Sequence, residues 1–136
     1  QPYELQVMDM SDPRNSTGLT YSRGALAEAD ALVDGWGGQL AVILMPTREQ
    51  VYAHLTQPLM PAEDFAVYGQ AYDAMQQLCT ELDLLCFDPL PVLQAYAQAG
   101  EHLYYSDDLH LNPRGNDLLQ EMIWRWLGGY GLLYEE

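Results

Sequence analysis

The sequence contains no lysine, and its five basic residues are scattered arginines set against 20 acids, giving a formal net charge of −15. A polyanion such as DNA or RNA would be repelled, so no nucleic-acid partner is expected. An anionic membrane surface is disfavoured on the same ground, and the acidity speaks first to solubility. Long apolar runs are lacking as well. The longest, Leu40 to Met45, is far too short to span a bilayer, so no direct membrane insertion is expected of this segment. No basic-then-apolar leader stands at Gln1, so any targeting segment is expected to have been removed. The 19 prolines and glycines are spread as punctuation, without a linker, low-complexity tract or internal repeat. Cysteine is scarce too. Cys79 and Cys86 form neither a CxxC nor a zinc pattern; a disulfide is one reading, but with one expected on a helix and the other on the next strand two buried free thiols are the preferred one.

What is present is a globular composition, 49% hydrophobic and 18% charged over 136 residues, which suits one domain with one core. Tyr3 to Met10 reads as a strand of imperfect alternation, and Asp12 to Gly18 as a loop. A helix is expected from Ser22, with Leu26, Ala29, Leu32, Val33 and Trp36 on one face and Gly35, Gly37 and Gly38 as its stop. Leu40–Met45 and Leu84–Phe87 read as neighbouring parallel strands buried on both faces. Between them, Thr47 and Gln50 have capping-box spacing at a helix start. Asp64 is placed to cap a longer helix with the stripe Phe65, Tyr68, Tyr72, Met75, Cys79 and Leu82. A short helix fits Pro91 to Gln98. Asn112 and Pro113 open a final helix to Leu127, with Leu118, Leu119, Met122, Ile123 and Trp126 inward. Alternating strands and helices predict an α/β fold: three layers, α/β/α, around a parallel sheet.

Chemistry concentrates in Tyr104-Tyr105-Ser106-Asp107-Asp108-Leu109-His110, a polar loop running into the capped helix. A carboxylate two or three residues before an imidazole can orient it and stabilise its charged form, as a general base requires. The same residues also fit two loop acids beside an exposed polar histidine. His54 and His102 have no ligand spacing with His110, so neither a metal nor a cofactor is expected. Tyr68, Tyr72, Trp124 and Trp126 read as core or helix surface. Tyr104 or Tyr105 could line an acyl or sugar pocket, and Trp124 could mark contact with further parts of the same protein.

The stretch Asp107-Asp108-Leu109-His110-Leu111-Asn112-Pro113-Arg114-Gly115-Asn116 resembles the last conserved block of SGNH (GDSL-like) hydrolases and acyltransferases, with its Asp, its His and a His-x-Asn-x-x-Gly ending. Val42-Ile43-Leu44-Met45-Pro46-Thr47-Arg48-Glu49-Gln50-Val51-Tyr52 is similar to the strand-Pro-Thr segment of the periplasmic, alginate acetyltransferase-like branch. The resemblance covers roughly residues 20–130. It implies a partial, flavodoxin-like SGNH domain occupying 1–136, an esterase or O-acyltransferase acting on a small-molecule or carbohydrate ester, and an extracytoplasmic location. It makes His110 the base of a Ser–His–Asp triad. The acid is Asp107 by the spacing of classical members and Asp108 by that of the acetyltransferase-like branch. The Gly-Asp-Ser and Gly-x-Asn-Asp blocks have no counterpart. Ser11, Ser16, Ser22 and Ser106 are poor nucleophile candidates and Asn15 a weak oxyanion donor, so the serine is expected outside this chain. A non-catalytic binding or scaffold module on the same fold is the alternative.

Overall fold

A computed structural model describes residues 3–133. Two short parallel strands, β1 (Ala41–Ile43) and β2 (Leu85–Phe87), pair in register with Val42 opposite Cys86. The expected parallel neighbours are therefore present. Side chains alternate across the pair. Val42 and Cys86 pack with Leu44, Tyr72 and Cys79 against α5 (Ala62–Glu81). Phe87 faces the other way, toward Trp126 of α7 (Pro113–Gly129) at 5.1 Å between ring centroids, and toward the cluster that includes Leu93 of α6 (Leu90–Gln98). This is the α/β/α layering read from the sequence. Burial of β1 on both faces does not hold: Ala41 is exposed, and Val42 and Ile43 are half-buried. Each strand has only one strand neighbour among the described residues, so each keeps an open edge.

The N-terminal segment departs from expectation. Tyr3–Met8 is a helix, α1, and not a strand. Leu5, 3% exposed, and Met8 are one turn apart, a spacing that turns both toward α5, and the Met10 amide donates to the Gln70 side chain at 2.9 Å. The next helix, α2, begins at Pro13 and ends at Gly35, so Asp12 is its N-cap where a loop was expected, and Ser22 lies inside it. No residue of α2 is buried; Leu26, Ala29 and Val33 are half-covered while Leu32 and Trp36 are exposed.

Thr47 and Gln50 form the capping box of α3 (Arg48–Val51). The chain continues through α4 (Ala53–Thr56) and a 3₁₀ turn at Gln57–Leu59. Helix α5 starts at Ala62 behind Pro61 and has no side-chain cap, so Asp64 lies in the first turn, where its charge favours the helix dipole. Its stripe of Phe65, Tyr68, Tyr72, Met75, Cys79 and Leu82 is buried or half-buried throughout. Asp88, just past β2, accepts from the Tyr72 hydroxyl, from Gln76 Nε2 at 2.7 Å and from the Leu90 amide at 2.9 Å. Burial, then the bond to Asp88, pushes the Tyr72 hydroxyl well above the ordinary tyrosine range.

The two cysteines correct another expectation. They are joined in a disulfide, with Cα atoms 6.2 Å apart. After α5 the chain reverses through Asp83, whose φ of +54° is left-handed, and the Leu84 amide returns to the Cys79 carbonyl at 3.0 Å. That reversal lays β2 beside the last turn of α5 and brings the two side chains together.

Candidate functional site

The larger core cluster contains Leu103, Tyr104 and Leu111, the residues that flank the loop 105–110. Tyr104 and Leu111 form an antiparallel bridge, and the Tyr105 amide donates to the His110 carbonyl at 3.1 Å. The stems are therefore fixed in the core while the tip, with Asp107, Asp108, Leu109 and His110, is exposed.

The stems are held by the residues that follow. Asn112 caps α7 by accepting the Gly115 amide at 2.9 Å. Its amide group donates to the carbonyls of His102 at 2.7 Å and Tyr104 at 3.2 Å. Asn116 reaches back to the Leu111 carbonyl at 3.1 Å. A Cβ on Gly115 would lie 2.1 Å from the Leu103 carbonyl oxygen, so only glycine lets the helix approach the Leu103 backbone. The Asn and Gly of the His-x-Asn-x-x-Gly ending are thus the fixings of the loop.

The strand-Pro-Thr segment, some 60 residues away in sequence, meets the same loop. The Tyr52 hydroxyl donates to the Glu101 carbonyl at 2.9 Å and accepts the Leu103 amide at 2.7 Å. The Tyr104 hydroxyl donates to the Pro46 carbonyl at 3.3 Å, and Arg48 Nη1 to the Asp108 carbonyl at 3.3 Å. Burial pushes the Tyr104 hydroxyl up to about 12. The sequence left either Tyr104 or Tyr105 to line a pocket; Tyr104 lies in the core, and Tyr105 is the exposed member of the pair. The roles of Arg48 and Tyr52 were not legible beforehand, although both stand in the strand-Pro-Thr segment.

Of the two acids, Asp108 is the one that reaches the ring: its Oδ1 lies 2.5 Å from His110 Nδ1 and also accepts the His110 amide at 3.1 Å. The bond from the imidazole, then that from the amide, holds the Asp108 carboxyl below its ordinary value of 3.8. Beside an ionised Asp108, a neutral imidazole carries its proton on Nδ1 within this bond and has Nε2 as its acceptor. The His110 side chain is 83% exposed, so Nε2 is open to solvent. None of the four serines is hydrogen-bonded to it. The Ser11 hydroxyl donates to Asp9 and that of Ser16 to the Pro13 carbonyl, Ser22 lies within α2, and Ser106 is an exposed residue of the loop itself. His54 and His102 are exposed elsewhere.

Beside the loop a cavity of about 350 Å³ opens between α1, the β1–α3 connection and α5, with Met8, Met45, Arg48, Tyr68 and Leu109 in its wall. A second, of about 280 Å³, shares Met8, Met45, Thr47 and Tyr68 with it and runs along β1.

No curated protein and no solved structure matches the chain. The family model described as "SGNH hydrolase-like domain, acetyltransferase AlgX" matches residues 6–123, which takes in β1, β2, the paired blocks and the Asp108–His110 loop. This protein is therefore a member of the family of SGNH hydrolase-like domains found in acetyltransferase AlgX.

Proposed function

We propose that this domain supplies the base and the acid of an ester-directed acyl transfer or hydrolysis, with His110 as general base, Asp108 as its orienting carboxylate and a small-molecule or carbohydrate ester as substrate. The single observation that carries the reading is the 2.5 Å Asp108–His110 pair with Nε2 left open. A serine from outside these 136 residues would lose its proton to Nε2 as its oxygen attacks the acyl carbonyl. The leaving alcohol would take that proton back as the ester C–O bond breaks, leaving an acyl-enzyme. Water or an acceptor hydroxyl then repeats the cycle and carries the acyl group away. Asp107 is given no part in these steps. The disulfide supports an extracytoplasmic site of action, because such bonds form and persist in oxidising compartments. No described helix is long and apolar enough to cross a membrane.

A non-catalytic module remains the second reading, favoured by the lack of any serine bonded to His110. Acetate release by the full-length gene product separates the two. His110→Ala should reduce the rate by at least about a thousandfold and Asp108→Asn substantially, with Asp107→Asn near wild type. The 136-residue chain alone should cleave p-nitrophenyl acetate no faster than its own His110→Ala variant. A full-length enzyme indifferent to His110→Ala would sink the catalytic reading.

A further inference from the structure

All four residues 42–45 line the cavity of about 280 Å³ beside β1, and no described residue of β2 does. Consecutive side chains of a strand point to opposite faces, so a space that touches all four lies along the strand's outer edge and not over one face. That edge carries no strand neighbour among the described residues. Its amides are turned toward the same space. The Leu44 amide points to β2, where it donates to the Phe87 carbonyl at 3.0 Å, and successive amides of a strand point to opposite edges. The Ile43 and Met45 amides therefore point outward, and that of Met45 has no hydrogen-bond partner among the described residues.

Gln50 adds a second donor to this space. It is 8% exposed, and its Oε1 is committed to the capping box of α3, accepting the Thr47 amide at 3.1 Å and the Thr47 hydroxyl at 3.2 Å. Those bonds fix the orientation of the side-chain amide and leave Nε2 without a hydrogen-bond partner among the described residues. No unsatisfied side-chain nitrogen among them is sealed from solvent, so the free N–H groups reach an opening, and Gln50 is a wall of this one. The rest of the wall is largely apolar, with Met8 of α1 and Tyr68, Tyr72 and Met75 of α5. Unpaired donors on a strand edge beside an apolar wall are the two things an added strand satisfies: its carbonyls accept the donors, and alternate side chains cover the wall.

We infer that the open edge of β1 is the docking site of a further strand, a stretch of about four apolar residues that runs parallel to β1 and comes from the same gene product, outside these 136 residues. Parallel addition continues the sheet that β1 and β2 begin. It directs the end of the new strand toward Pro46, beside Arg48, whose guanidinium donates to the Asp108 carbonyl. A second copy of the chain is disfavoured at this edge, since each copy carries a net charge of −15. The choice of the same gene product rests on the acyl-transfer reading, which already brings a serine from outside this chain to His110; the pairing itself needs neither residue.

The test is amide exchange, residue by residue, in the full-length gene product and in the 136-residue chain. In the full-length product the Ile43 and Met45 amides should exchange at least about a hundredfold more slowly than in an unstructured peptide. In the chain alone both should be at least about tenfold faster than that, while the Leu44 amide, bonded to Phe87, stays protected and reports that the sheet is folded. Dilution of the full-length product by about a hundredfold should change nothing; protection that falls on dilution would assign the edge to a second copy and overturn the inference. Gln50→Glu keeps an oxygen for the Thr47 amide and loses the free donor, so Met45 exchange in the full-length product should quicken by about fivefold. His110→Ala should leave the protection as in wild type whatever it does to acetate release, so the docking and the catalytic readings fail separately. Fast exchange at Ile43 and Met45 in the full-length product, or equal protection of both in the chain alone, would also overturn the inference.

Discussion

Gly115 shows how much of the loop's geometry depends on a single atom. Its missing Cβ admits the Leu103 carbonyl, and Leu103 is the fully buried residue whose amide is held by Tyr52 and whose carbonyl accepts the Asn112 amide at 2.9 Å. Gly115→Ala must push backbone against backbone, because the blocking atom is a carbonyl oxygen and not the end of a flexible side chain. The expected cost is about 2–3 kcal/mol, toward the upper end for overpacking, read as a lower urea midpoint. Loss of the Tyr105–His110 hydrogen bond should accompany it, seen as faster amide exchange at Tyr105. A Gly115→Ala variant with the wild-type midpoint would show that the close approach is not required. The position of the glycine was visible in the sequence as part of a motif, and its reason was not, because the atom it makes room for lies twelve residues earlier in the chain. Asp107 and Asp108 were likewise indistinguishable from spacing; the turn closed by the His110 amide on Asp108 decides which acid faces the ring.

At the scale of elements, capping signals that stood clear of competing residues were read correctly, and one crowded by turn-forming residues was missed. The Thr47/Gln50 box and the Asn112–Pro113 start carry their own capping chemistry, and both helices begin where expected. Asp12–Pro13 is the same kind of signal, yet Asn15, Ser16, Thr17 and Gly18 imitate a loop and obscured it. Asp12 accepts the Arg14 amide at 2.8 Å and its guanidinium at 2.6 Å, and the guanidinium bond above all lowers the Asp12 carboxyl to about 2. A depressed carboxyl stabilises the folded helix end fully above its unfolded value near 3.8, and that contribution is lost as pH falls toward about 2. Asparagine caps about as well as aspartate but carries no charge, so Asp12→Asn isolates the electrostatic part. Amide exchange over the first turn of α2 should be faster in Asp12→Asn than in wild type above about pH 4, with the two converging by about pH 2. The difference should stay local, since α2 buries no residue and the Arg14 side chain is solvent-exposed. A gap that persists below about pH 2 would mean the carboxylate is not its source.

At the scale of the whole molecule, the described residues form two apolar clusters, and they are unequal. Eight buried residues join α3, α6, α7 and the stems of the His110 loop, while Leu44, Tyr72 and Cys79 alone form the buried centre between α5 and the sheet. The smaller cluster is where the covalent link lies, so the disulfide offsets a thin apolar contact on that face. The sequence could not reveal this. Helix-then-strand order suggested two separated thiols, and only the left-handed reversal at Asp83, a tertiary outcome in a non-glycine residue, returns β2 onto the end of α5. Cysteines separated by seven positions close a short loop, for which restriction of the unfolded chain amounts to about 2–3 kcal/mol. Against a total stability of about 5–15 kcal/mol for a domain, that is a large share. Reduction, or the double variant Cys79→Ala/Cys86→Ala, should lower the urea midpoint by the equivalent of that energy. The slope of the transition should stay the same or rise slightly, because the unlinked chain exposes a little more surface when unfolded. The Asp108–His110 loop sits in the other cluster, so its amide exchange should be unaffected under conditions where the reduced protein is still folded. A midpoint indifferent to reductant would show that the reversal at Asp83 and the packing of Leu44 on Tyr72 hold this face without the bond.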